Sequence, residues 1–183
     1  YNNFGHKNIT HWLISQGIEP VLPPLSAFFT ETFASKKARI VGNIEHKYNK
    51  QFIMNWAERY VFSILHKMER CMVDYPYHIP LTNPHHDALK ASKIINLNTQ
   101  FGEGWRIPAE FAHFAEHGIN HVISLQPFGC IANHIISKGI EKRTRELYPK
   151  LQLLQLDFDS SMGEANIFNR LHFMIRNAQK EKM

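Results

Sequence analysis

Val122-Ile123-Ser124-Leu125-Gln126-Pro127-Phe128-Gly129-Cys130-Ile131-Ala132-Asn133-His134 decides how this chain is read. The apolar run at its start has the composition of a buried strand, predicted over residues 120–125. Residues 133–142 predict the beginning of the following helix, which runs on to about residue 148. Pro127 and Gly129 punctuate the junction. A thiol is therefore offered at the carboxyl end of a strand, beside a helix start. Ligands of open α/β sheets bind at such edges. Helix N-terminal N–H groups there favour thiolate, the form that binds metals and attacks electrophiles.

The pattern repeats outward from this unit. Downstream, residues 151–156 predict a strand that ends in Asp157-Phe158-Asp159-Ser160-Ser161, and 164–180 predict the last helix. Upstream, Pro108 suits the first turn of a helix that carries Phe111, Phe114 and Ala115 inward and stops at Gly118. Residues 88–97 predict another helix. Residues 75–84, with three prolines, and 100–108, with Gly102 and Gly104, predict loops. Between 36 and about 74, Phe52, Trp56, Tyr60, Ile64 and Met68 recur at every fourth position and predict one long helix packed through that stripe. Residues 25–34 predict a loop with a helical turn. Residues 4–16 predict a helix ended by Gly17 as a C′ glycine, followed by a short strand at 18–22 stopped by Pro23-Pro24.

Helix and strand thus alternate. The expected fold is α/β: a parallel sheet with helices on both faces, a three-layer flavodoxin-like or Rossmann-like arrangement. The expected divisions are a partial α/β unit over 1–35, a mainly helical insertion over 36–97, and an α/β subdomain over 98–183. The chain opens on Tyr1 inside helical sequence, so it reads as a piece of a longer polypeptide whose first strand precedes it.

Composition narrows the function. A chain of 183 residues with 44% apolar residues can build a real core. No apolar stretch approaches the roughly 18–20 residues of a membrane span. The net charge of +5 is scattered among acids, and no RNA-binding or helix-turn-helix signature accompanies it, which argues against nucleic acid. Cys71 and Cys130 are the two cysteines. They cannot make a disulfide framework or complete a four-sulfur metal site, and a reducing, cytoplasmic setting fits them. Cys71, near the end of the long helix, reads first as a small buried side chain.

Three loops would share the carboxyl edge of such a sheet. In the first, Gly102 and Gly104 flank the carboxylate of Glu103 and precede Trp105; a tight turn with a capping Glu is the plainer alternative. In the second, Pro127 stiffens the approach, Gly129 lets backbone come near a bulky partner, Cys130 supplies sulfur, and His134 lies four residues on. An inert buried Cys is the alternative there. The third is Asp157-Phe158-Asp159 with the N-cap candidates Ser160 and Ser161; Asn166, Asn169 and Arg170 share a helix face that could bond back to it. Phosphate-loop, GxGxxG and GxSxG signatures are absent from the sequence. His85 and His86 point about 100° apart on a helix and would not converge on one metal.

Gln100-Phe-Gly-Glu-Gly-Trp105 with Pro108-Ala-Glu110, then the stretch from Gln126 to His134 with Lys138-Gly139, then Leu156-Asp-Phe-Asp159 with Glu164-Ala-Asn166 and Asn169-Arg170, together resemble the C-terminal region of the long acyl-CoA dehydratase activase-related proteins. That region is similar to the cluster-bearing subunits of 2-hydroxyacyl-CoA dehydratases and benzoyl-CoA reductases. The likeness runs in order over about residues 98–175. Residues 1–97 share mainly Gly17-Ile-Glu-Pro-Val-Leu-Pro23 with it.

The resemblance implies flavodoxin-like subdomains holding a [4Fe-4S] or double-cubane cluster for low-potential electron transfer in anaerobic metabolism. It implies Cys130 as one cluster ligand, with Gly102, Glu103, Gly104, Trp105, Gln126, Pro127, Gly129 and His134 around the cofactor. Cys71 is a weaker candidate for a second ligand. The partners implied are upstream domains of the same polypeptide, an ATP-hydrolysing activator and further cluster-ligand subdomains; acyl-CoA and a second copy are additional candidates, nucleic acid and membrane are not. The fragment would have no activity by itself and carry no cluster alone. Two other readings stay open: a structural or interaction domain that keeps the fold without a cluster, and a small-molecule enzyme with Cys130 as nucleophile.

Overall fold

The computed structural model describes residues 3–42, 44, 51–76, 78, 80–100, 104–159 and 163–181. The chain divides into two compact units. One joins Tyr1–Leu22 to Phe111–Met183, and the other is Pro23–Glu110.

The first unit is built on strands β1 (His121–Pro127) and β2 (Gln152–Phe158). They pair in parallel, from His121 opposite Gln152 to Pro127 opposite Phe158. A pair of strands is marginal alone and needs an apolar face covered by helices. Period-2 alternation supplies two faces. Ile123, Leu154, Leu156 and Phe158 pack against α1 (Ile9–Ser15) and α7 (Glu164–Glu181), through Ile9, Leu13, Ile167, Leu171 and Ile175. Trp12 of α1 closes this layer against Phe168, ring centroids 5.2 Å apart. Gln126, Gln155 and Asp157 lie on the opposite face. They meet a π-helical turn, Ala132–Ser137, and Lys138 after it. Helix α6 (Glu141–Leu147) then leads back to β2.

The expected layered sheet does not form. Among the described residues there is one sheet of two strands, and the rest is mainly helical. The missing strand is at 18–22. Gly17 takes φ 72° and the Ile18 amide donates to the Leu13 carbonyl at 3.0 Å, so the start of this segment terminates α1. Ile18 then inserts into the core beside α1. Pro20, Pro23 and Pro24 each lack the N–H a ladder needs. Helix α1 also starts later than its periodicity suggested, because Lys7 and Asn8 are both left-handed, at φ 51° and 56°.

The second unit is helical: α2 (Leu25–Val41), α3 (Gln51–Met72), α4 (Pro84–Ala91) and the start of α5 (Arg106–Glu116). The predicted loop at 25–34 is the first half of α2, and one predicted helix over 36–74 is two. Small residues let α2 and α4 approach: Ala34, Ala88, Ala91 and Ala109 surround Trp105, with Ile95 and Leu97 at the margin. Asn83 caps α4 by accepting from the His85 amide at 2.9 Å, with Pro84 in its first turn. No helix among the described residues is long and apolar enough to cross a membrane.

The stripe on α3 corrects a second expectation. No residue of α3 is buried. Its inward side is Met54, Ala57, Val61, Phe62 and Leu65, each half-buried, spaced by threes and fours. Phe52, Trp56, Tyr60, Ile64 and Met68 are exposed.

Candidate functional site

Cys130 follows β1 on a turn that Gly129 makes possible at φ 78°. The Cys130 amide donates to the Pro127 carbonyl at 3.1 Å and closes the turn. Its carbonyl accepts from the His134 amide at 2.9 Å and starts the helical segment. The thiol is half-buried, and its Sγ accepts from Asn133 Nδ2 at 3.3 Å.

The second strand end supplies the charge. Asp157 lies in register with Gln126. Lys138 Nζ sits 3.1 Å from its Oδ2, and His134 Nδ1 is 3.6 Å from its Oδ1. The His134 Nε2 is buried without a hydrogen-bond partner.

Beneath them, fully buried Gln126 donates from Nε2 to Ser137 Oγ at 3.2 Å. Gln155 donates to the Ser137 carbonyl at 3.2 Å. Gln126 is thus the peg that fastens the π turn to the sheet. A π turn is rare and recurs at functional sites, because the i→i+5 ladder widens the helix and re-aims its side chains. Here the widened segment carries Asn133 and His134.

Phe128, Ile131 and Ile135 stand exposed around Cys130. Pro127 and Gly129 are exposed as well. The half-buried thiol is thus flanked in sequence by exposed apolar residues.

The structure brings together Gln126, Pro127, Gly129, Cys130 and His134, with Asp157. Gly102 and Glu103 lie outside the described residues, as do Ser160 and Ser161. Gly104 and Trp105 belong to the Pro23–Glu110 unit, where both have packing roles. A Cβ on Gly104 would fall on the Thr99 carbonyl oxygen. Trp105 is buried and donates Nε1 to Ser35 Oγ at 3.0 Å. Gln100 completes this anchor: it donates to the Ser35 carbonyl at 3.1 Å and accepts from Arg39 at 2.6 Å. Arg106 is buried beside Glu110 (2.8 Å) and Glu31 (3.6 Å), and donates to the Ala27 carbonyl at 2.7 Å.

Cys71 is exposed on α3, not the buried residue expected. His85 pairs with Glu58 at 2.6 Å, while Asp87 bonds Thr82. Asn166, Asn169 and Arg170 are exposed. Among the described residues no three His, Cys, Asp or Glu side chains form a metal-binding group. The sequence reading passed over Asn133, the direct partner of the thiol, although an amide three residues past a Cys at a helix start was available as a signal. It also passed over the Lys138–Asp157 pair and the exposure of Phe128, Ile131 and Ile135.

Comparison with family models, with curated proteins and with solved structures returned no match.

Proposed function

We propose that Cys130 supplies one thiolate to an iron–sulfur cluster shared with other protein segments, in a protein of the acyl-CoA dehydratase activase type. The observation that carries this reading is the state of the thiol. It is half-buried on a glycine turn, accepts a hydrogen bond from Asn133 and has the exposed Phe128, Ile131 and Ile135 close by in sequence. Hydrogen bonds to ligand sulfur tune a cluster's potential. Exposed apolar residues beside the turn fit a site closed by a second protein surface.

Ligand arithmetic supports the sharing. A cluster takes about four thiolates, and this chain has two cysteines, of which Cys71 is on the other unit. The donor set here suits one corner of a cluster and no more. Such a cluster, when bound, passes single electrons at low potential. The chain's own residues hold the sulfur: Asn133 orients it, and the Gln126–Ser137 bond keeps the helix start in place. ATP hydrolysis and acyl-CoA chemistry belong, in this proposal, to the partners that complete the site, in a reducing cytoplasm.

One observation favours a second reading, Cys130 as a nucleophile. His134, four residues after Cys130 and with Nδ1 3.6 Å from Asp157 Oδ1, is the candidate base. The two separate in one experiment. The whole chain is incubated anaerobically with iron, sulfide and an excess of a small thiol that can fill the open ligand positions. The cluster reading predicts a brown chromophore that stays with the protein through gel filtration, persists in Cys71→Ser and is lost in Cys130→Ala. The nucleophile reading predicts no such chromophore, and alkylation of Cys130 that slows in His134→Ala.

A further inference from the structure

The outer face of α3 points to self-association: we infer that two copies of this chain pair antiparallel through the ridge of Phe52, Trp56, Tyr60, Ile64 and Met68. Among the described residues, the helix meets its unit along one side. Glu58 binds His85 at 2.6 Å, Glu69 accepts from the Leu81 amide at 2.9 Å, and Phe62 meets Phe33 at 6.4 Å. The other side is apolar and open. Phe52 is 82% exposed, Trp56 60%, Tyr60 57% and Met68 56%. Trp56 and Tyr60 stack on each other with planes 7° apart, a preformed slab rather than two loose rings.

The size of the patch points to a protein partner. With Ile53 and Ile64, these side chains expose roughly 800 Å², taking about 200–280 Å² for each fully exposed residue, and the largest patch on a typical monomer is about 300–600 Å². One side of a standard stable interface is also about 800 Å².

The order of residues selects a second copy. About a point near Tyr60, the ridge is complementary to its own reverse. Antiparallel pairing sets Phe52 against the partner copy's Met68, and Trp56 against its Ile64, a ring on an aliphatic or sulfur side chain each time. Parallel pairing would set Lys67 against Lys67. The antiparallel arrangement instead brings each Lys67 toward the aromatic end of the other helix, where its stem and charge are both accommodated. Side chains at every fourth position also form the ridge that packs at a crossing of about −50°, the commonest helix–helix geometry.

Sedimentation of the full chain, from low micromolar to submillimolar, tests this. Wild type is expected to dimerise, and Trp56→Glu or Ile64→Glu to weaken the dimer about thirtyfold or more with an unchanged circular dichroism spectrum. In a Cys71→Ser, Cys130→Ser background, a mixture of Phe52→Cys and Met68→Cys chains is expected to cross-link faster than Phe52→Cys alone. A monomer at every concentration overturns the inference. So does a dimer indifferent to Trp56→Glu, faster cross-linking of Phe52→Cys to itself, or a monomer whose ridge binds lipid vesicles.

Discussion

Leu156→Ala is the most quantitative test of how the strands sit on their helices. Leu156 is fully buried among Ile9, Leu13, Ile167, Leu171 and Ile175. Truncation removes its transfer energy and leaves a cavity that two flanking helices cannot both close, so the cost is about 3–4 kcal/mol. Leu125, its register partner on β1, is 38% exposed. Leu125→Ala loses part of the transfer term and opens its space to water, so the cost is about 1 kcal/mol. With a urea m-value of about 2 kcal/mol/M, the midpoints fall by roughly 1.5–2 M and 0.5 M. Urea unfolding of the two variants, read by far-ultraviolet circular dichroism at equal m, is the assay. Equal shifts, or a larger one for Leu125→Ala, would refute this register and the packing of α7 on β2.

Other expectations follow from the helical unit. The Leu81 amide, with His66 beside it, holds the Glu69 carboxyl below its ordinary range. A depressed carboxyl stabilises the fold above its unfolded pKa and loses that contribution as pH falls through the folded value. Wild type should therefore lose more stability between about pH 6 and 3 than Glu69→Gln, as thermal melts at stepped pH will show; parallel curves would contradict it. Gly104→Ala would drive a methyl into the Thr99 carbonyl, and should lower the melting temperature by several degrees at a cost of about 1–3 kcal/mol. Trp105→Phe leaves Ser35 Oγ without its donor. A loss of about 1–3 kcal/mol in urea unfolding is expected, with smaller effect in Ser35→Cys than in Trp105→Phe.

Sequence periodicity located the elements whose signals were local. Strands β1 and β2, the Pro108 start of α5 and the long α7 all stand within a few residues of their predicted places. The position of Cys130 at a strand's carboxyl end was legible for the same reason. The sheet was not, because a strand needs a neighbour, and residues 18–22 have the composition of one while Gly17 and Ile18 cap α1 and Pro20, Pro23 and Pro24 lack ladder donors. On α3 the wrong face was chosen: steps of four drift about 40° per step around a helix, whereas the inward side mixes threes and fours. Met54, Ala57, Val61 and Leu65 step by three, four and four; Phe52, Trp56 and Tyr60 were simply larger. The aromatic cluster at 25–34 hid the first half of α2, whose start after Pro24 has no side-chain cap. The GEGW segment looked like a cofactor loop because its glycine and tryptophan are constrained, and in the fold the constraint on Gly104 and Trp105 comes from Thr99 and Ser35.

Iron and acid-labile sulfide per chain, measured after anaerobic reconstitution with a small co-ligand thiol, bear most directly on the role of Cys130. Wild type and Cys71→Ser should retain matching amounts of both after gel filtration, Asn133→Ala less, and Cys130→Ala none. Equal retention by Cys130→Ala and wild type, or none by either, would contradict it.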